Sequence, residues 1–279
     1  MAKKIGFVDY YLSEWHADNY PVWIKEASTE YEVAYGWAER DISPVSGKST
    51  DEWCAQFGVE KCERIEELCE KSDVIVILAP SNPEKHLLYA ERVLPFGKPT
   101  YIDKTFAPDL DTAKKIFALA EKHNTPFFST SALRYASELD LIGDCRQVMT
   151  TGGGSNAPEY IVHQAEMVVK KLGVGAASVK AETVGDQTVF FIGYPDGRSA
   201  SMTYGKAFPF TVYMVNSEKS VFKTAASEFF KSLIADMVRF FDERTVSFDT
   251  AETLEVMAIR ETALAAMSEP GTTFKIAEE

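Results

Sequence analysis

The sequence predicts an α/β chain: a parallel-sheet domain followed by an α+β domain with an open, mostly antiparallel sheet. Three observations predict it. Apolar runs and amphipathic helix patterns alternate through residues 1–129, as strand–helix–strand units require. Residues 74–78 (VIVIL) are continuously apolar, the pattern of a central parallel strand covered on both faces. Beyond residue 130, strand-like runs follow one another across Gly185-Asp186 and Pro195-Asp196-Gly197, both turn sequences. The expected domains are therefore 1–129 and 130–279, and 279 residues bury a substantial core without staples.

The elements are expected in this order. Residues 3–9 (KKIGFVD) form the first strand. A polar, aromatic loop follows (YYLSEWHADNYP), then a helix over 22–28 with Pro21 in its first turn. Residues 30–37 are a second strand and 41–48 a loop. Short helices cover 51–57 and 63–70. The strand at 74–78 leads to a helix over 84–94, stopped at Phe96-Gly97-Lys98-Pro99. A strand at 100–102, an amphipathic helix at 109–123 and a strand at 125–129 complete the alternation. A short helix is then expected at 134–142, a strand at 146–151 running into Gly152, Gly153 and Gly154, and a helix at 158–172. Four strands follow at 177–183, 186–194, 199–204 and 211–216. Residues 218–241 contain a helical part, and 254–267 form the last helix.

Composition excludes several function classes. With 29 basic and 42 acidic residues the net charge is -13, a field that repels phosphate backbones, so nucleic acid is not an expected partner. No run of 18 apolar residues predicts a membrane span, and the start lacks the pattern of a signal peptide. Four cysteines, at 54, 62, 69 and 145, form no CxxC pair. They suggest neither a disulfide framework nor a metal site, but reduced thiols in a cytoplasm.

In open parallel sheets, ligands bind beyond the carboxyl ends of strands. Those ends are residues 9–19, 79–82 and 103–105, which make Asp9, Ala79, Pro80, Asn82, Asp103 and Lys104 candidate ligand contacts. A dinucleotide site normally follows its first strand with Gly-x-Gly-x-x-Gly. Here only Gly6 is in place, and Tyr10 and Tyr11 occupy the turn where backbone should approach a diphosphate. At the second strand end, Glu39 stands as a weak candidate for a ribose and Arg40 for a phosphate. Lys104 can orient a hydroxyl or carry its proton if burial lowers its pKa; otherwise it is a surface lysine beside an acid. Glu159, His163 and Glu166 share a helix face, where a carboxylate can fix an imidazole tautomer, and the three preceding glycines would admit a ligand. The same stripe also fits any half-exposed helix. His16 and Asp18, in the 15–20 loop, could grip a sugar ring or simply cap the strand. His86 could face a ligand or serve structure, and His123 suits a helix end.

Residues 74–124 resemble the glucose–fructose oxidoreductase / inositol dehydrogenase / rhizopine-catabolism (Gfo/Idh/MocA) family. Ala79-Pro80 stands for its Thr-Pro, His86 for its helix histidine, Gly97-Lys98 for its Gly-Lys, and Asp103-Lys104-Thr105 for its Glu-Lys-Pro. Glu159, His163 and Glu166, with Leu172-Gly173, resemble its later acidic–histidine motif. The resemblance implies a Rossmann-like first domain that binds NAD or NADP through Gly6, Asp9, Ala79, Pro80, Asn82, His86, Asp103 and Lys104. It implies a sugar or cyclitol substrate touched by His16, Asp18, Arg134 and Glu166, with Lys104, His163 and Glu159 catalytic. It also implies a homo-oligomer, dimer or tetramer, formed through the second-domain sheet. The expected activity is oxidation or reduction of a secondary hydroxyl. Two rivals share the fold: a sugar-metabolite binding or regulatory protein that has lost the dinucleotide, and a lyase or hydrolase.

Overall fold

A computed structural model describes residues 2–277. The chain folds into two compact units. The first ends at Thr130 and also takes in Lys231–Ser247; the second holds Ser131–Phe230 and the chain from Phe248 onward.

The first unit is a Rossmann-type sheet of six parallel strands in the order β3-β2-β1-β4-β5-β6. Its elements are β1 (Lys3–Asp9), α1 (Trp15–Ala27), β2 (Tyr31–Ala38), α2 (Thr50–Phe57), β3 (Glu60–Lys61), α3 (Ile65–Lys71), β4 (Val74–Ile77), α4 (His86–Val93), β5 (Thr100–Ile102), α5 (Leu110–His123) and β6 (Phe127–Phe128). All four residues of β4 are buried, as its unbroken apolar run requires. Removing each from water is worth about 1.5–3 kcal/mol. The strand order reverses direction beside β1 and β4, so the carboxyl ends of these two strands form the crevice of such a sheet.

The first helix departs from expectation. The stretch expected as a loop is helical from Trp15, and Pro21 lies inside α1 rather than in its first turn. The helix can start early because Glu14 caps it, its side chain accepting from the His16 and Ala17 amides. His16 and Asp18 therefore sit on the first helical turn, not on a flexible loop.

The second unit holds a seven-stranded sheet in the order β12-β11-β7-β10-β9-β8-β13. Its elements are β7 (Gln147–Gly152), α6 (Ala157–Leu172), β8 (Ser178–Val184), β9 (Gln187–Gly193), β10 (Ser199–Tyr204), β11 (Thr211–Val215) and β12 (Ser220–Thr224), then α7 (Phe229–Glu243), α8 (Ala251–Ser268) and β13 (Thr273–Lys275). Only the β7–β10 pair is parallel. Helices α6 and α8 pack on this unit's strands and bury alternate residues, while Met149 and Phe191 stay half exposed on the other face. The short helix expected at 134–142 is instead two 3-10 turns, Ala132–Tyr135 and Ser137–Leu141, interrupted by extended backbone at Ala136.

Most of α7 belongs to the first unit. There Phe240 packs its ring 4.8 Å from that of Phe128, Phe241 meets Tyr31, and Asp242 accepts from the Tyr31 hydroxyl at 2.8 Å.

Gly6, expected as the first glycine of a dinucleotide fingerprint, lies inside β1, three residues before its end, and is packed under α3. A Cβ there would lie 2.3 Å from Leu68 Cδ2 and 2.4 Å from Ser72 Oγ. Its smallness serves helix–strand contact, not a cofactor. Gly6→Ala should lower stability by about 1–3 kcal/mol, seen as a lower urea midpoint with an unchanged slope; an unchanged midpoint would refute the packing role.

Candidate functional site

At the carboxyl edge of the first sheet, acidic side chains tie the strand ends together. Asp9 Oδ1 accepts from the amides of Tyr10 (2.7 Å) and Ala79 (2.9 Å), joining the ends of β1 and β4. Asp103, following β5, accepts at Oδ1 from the Lys104 amide (2.8 Å) and the Tyr101 hydroxyl (3.2 Å). Its Oδ2 lies 2.5 Å from His16 Nδ1. The His16 ring stacks on Tyr20, with centroids 5.2 Å apart. Glu14 completes the set, accepting from the amides of His16 (2.9 Å) and Ala17 (2.5 Å). Asp9, Glu14, His16 and Asp103 are all buried.

Three carboxylates and one imidazole cannot all ionise cheaply in so little water. Burial and the neighbouring Glu14 push the Asp9 carboxyl well above its ordinary value. Burial also raises Glu14, against the pull of His16 and the two amides. Burial acts on Asp103 in the same direction, but His16 and Lys104 outweigh it and hold this carboxyl below its usual range. The two acids are thus pushed in opposite directions, Asp103 towards its ionised form beside His16 and Asp9 towards its protonated form. Among the described residues nothing hydrogen-bonds Asp9 Oδ2.

Lys104 is half-buried, between Asp103 and the Lys104–Thr105 cis peptide. His86 is wholly buried, with Nδ1 2.9 Å from the Phe106 carbonyl and Nε2 2.6 Å from the Leu78 carbonyl. Burial lowers its pKa while the two carbonyls pull it back. Expected at the cofactor, His86 instead pins the loops after β4 and β5. Asp18 accepts from Trp53 Nε1 at 3.0 Å, and Asn82 donates to Glu84 at 3.0 Å. Pro80 and Ala79 are buried. Glu39 is engaged by the Tyr89 hydroxyl (2.8 Å) and Lys85 Nζ (2.5 Å). Tyr10 and Tyr11 remain partly exposed, with Lys85 over the Tyr10 ring.

The second unit has its own polar set. His163 Nδ1 lies 2.7 Å from Ser131 Oγ, and the Ser131 amide donates to Glu166 Oε2 at 3.2 Å. Arg134 pairs with Glu166 (2.5 Å) and Glu252 (2.7 Å), its guanidinium 4.0 Å from the Phe248 ring centroid. Arg134 and Glu166, expected on the substrate side, are buried against each other. Glu159 accepts from Ser155 and Asn156 at the start of α6. The glycines at 152–154 admit the protein's own chain: a Cβ on Gly154 would lie 2.1 Å from the Tyr160 ring, and one on Gly153 2.5 Å from the Gly205 carbonyl. The residues that sequence reasoning missed are Glu14 and Ser131. Glu14 was hidden because glutamate is not a preferred N-cap, and Ser131 because its partner is 32 residues away.

Residues 40–131 match the model of an oxidoreductase family, described as NAD-binding Rossmann fold and labelled GFO_IDH_MocA. Over that span the chain is similar to the Gfo/Idh/MocA oxidoreductase family. No curated protein matches. Among solved structures, scyllo-inositol dehydrogenase from Lactobacillus casei with bound NAD(H) and scyllo-inositol superposes with TM-score 0.79 at 14% identity, covering 100% of both chains. Myo-inositol dehydrogenase from the same organism, in complex with NAD(H) and myo-inositol, gives 0.82 at 10% identity, covering 100% of this chain and 98% of that one. A probable dehydrogenase from Thermotoga maritima gives 0.81 at 12% identity, with 98% of each chain covered. At such identities the likeness establishes the fold. Among the described residues no group could hold a metal ion, and no helix is long and apolar enough to cross a membrane.

The family match begins after β1 and α1, the segment that seats a diphosphate in this fold. In this chain that seat does not fit a dinucleotide as it stands. The His16 and Ala17 amides at the start of α1 already hold the Glu14 carboxylate, and Asp9 takes those of Tyr10 and Ala79.

Asp9 supplies a test of the buried cluster. Its folded pKa exceeds the ordinary 3.8, so its contribution is fully present below that value and is lost as pH rises through the raised one. Asp9→Asn keeps an acceptor for both amides and does not titrate. Wild-type stability relative to this variant should fall by at most about 1.4 kcal/mol per pH unit above the ordinary carboxylate range. Denaturation across pH measures it; parallel curves would rule the shift out.

Proposed function

We propose that the protein is an NAD(P)-dependent oxidoreductase acting on a secondary hydroxyl of a sugar or cyclitol. The observation that carries this reading is the pair Asp103-Lys104 at the end of β5. Asp103 is held ionised beside His16, and the next residue offers an ammonium group where this fold binds its ligands. The NAD-binding family match over this segment and the inositol dehydrogenases of like fold support it. In this reading Lys104 orients the substrate hydroxyl. His163 transfers its proton, with Ser131 fixing the imidazole at Nδ1. His16 and Asp18 serve the substrate end from the first turn of α1. Arg134 and Glu166 act only indirectly, by fixing Ser131.

A second reading is a sugar-metabolite binding or regulatory protein without a dinucleotide, and the Glu14 carboxylate on the α1 amides favours it. One assay separates the two. The protein is incubated with NAD or NADP and a panel of cyclitols and hexoses, and nicotinamide reduction is followed by absorbance. The oxidoreductase reading expects turnover that Lys104→Met lowers by about a hundredfold or more. No reduction with any pair, or full activity in the variant, counts against it.

The buried free thiols Cys54, Cys62, Cys69 and Cys145 suit a reducing compartment such as the cytoplasm. The open face of the second sheet, with Met149 48% and Phe191 50% exposed, is the surface we assign to a homo-oligomer contact. Phe191→Asp should then convert a dimer or tetramer to monomer in light scattering; a wild-type protein that is already monomeric would exclude the assignment.

A further inference from the structure

We propose that Glu14 is a built-in competitor for the diphosphate of a dinucleotide: its carboxylate sits on the helix amides a phosphate would need, so a dinucleotide binds only as Glu14 leaves. The inference rests on the NAD(P) reading above. Helix N-termini attract anions because their first amides lack intrahelical partners and carry the positive end of the dipole. In α1 those amides are His16 and Ala17, and both donate to one side chain. The two oxygens of Glu14 each take one amide, as two oxygens of a phosphate can.

Ordinary capping does not account for the choice of residue. A helix start is served by Ser, Thr, Asp or Asn, whose short side chains reach back to the first turn. Glutamate is longer and must be folded into place, here with the side chain buried and Ser13 before it at φ 63°. A second, independent observation is Asp9. It is 1% exposed, it claims the amides at the ends of β1 and β4, and its Oδ2 has no hydrogen-bond partner among the described residues. A buried acid left half-satisfied beside a buried capping acid is poor design for stability alone. It is what a ligand seat looks like when internal groups stand in for the ligand.

The test uses the full chain and its variants Glu14→Ser and Glu14→Gly. Serine is a preferred N-cap, so its variant keeps the helix start while removing both the charge and the bulk. Thermal unfolding confirms that each variant is folded. NADH is then titrated into wild type and variants, with binding read from nicotinamide fluorescence. Expected is a dissociation constant at least about tenfold lower in the variants than in wild type, a difference equal to about 1.4 kcal/mol. Equal affinity in all three proteins overturns the inference and leaves the oxidoreductase reading standing. Failure of all three folded proteins to bind NADH overturns both, because removing the competitor should have exposed the seat.

Discussion

The ends of three parallel strands and the start of one helix are held together by buried carboxylates, and the first unit is organised around that constraint. Asp9 spans β1 and β4 by accepting from two amides, and Asp103 links the end of β5 to α1 through His16. Glu14 fixes the helix start itself. Backbone amides at this edge would otherwise need water or a ligand. Supplying them with side-chain oxygens closes the edge, but it crowds like charges. The cluster meets that crowding unequally: burial and Glu14 favour the protonated form of Asp9, while His16 and Lys104 favour the ionised form of Asp103.

The second unit treats its acids differently, one buried and one partly exposed. Glu166 and Glu252 share the Arg134 guanidinium, and burial is outweighed by those two partners, which raise the arginine's pKa. A buried pair whose charges and hydrogen bonds are matched is a structural device. The strand-end cluster is acid-rich and incompletely paired, which is where function concentrates. The same residue types, in the two units, therefore carry opposite readings. Composition cannot separate them; partners do.

Much of the fold was legible from residues alone. The alternation of apolar runs with helix patterns predicted the parallel sheet, and the turn sequences predicted the strands of the second. What escaped were elements fixed by distant contacts. Strands β3 and β13 are two and three residues long and exist through their neighbours. Helix α7 returns to the first unit because Phe240 and Asp242 find Phe128 and Tyr31, partners more than a hundred residues away. Pro21 read as a helix start because proline favours the first turn, yet α1, capped by Glu14, begins seven residues earlier than that reading placed it. At the site, Asp103 and His16 were each visible as polar residues at strand ends. Their pairing was not, since 87 positions separate them.

Matching a motif transfers a position, not a contact. Gly6 reads as a fingerprint glycine but lies inside β1, where its smallness admits α3. His86 keeps the family's helix histidine and directs both nitrogens to carbonyls. Those carbonyls bracket Lys104, however. Leu78 directly follows β4, Phe106 lies two residues past the lysine, and the Lys104 amide itself is held by Asp103. The backbone around the lysine is thus held at its own amide by Asp103 and at Phe106 by a buried imidazole. A side chain carried on backbone held at two points, at the edge where parallel sheets receive ligands, is suited to placing a hydroxyl within hydrogen-bond reach. His86 contributes to that by holding the Leu78 and Phe106 carbonyls together.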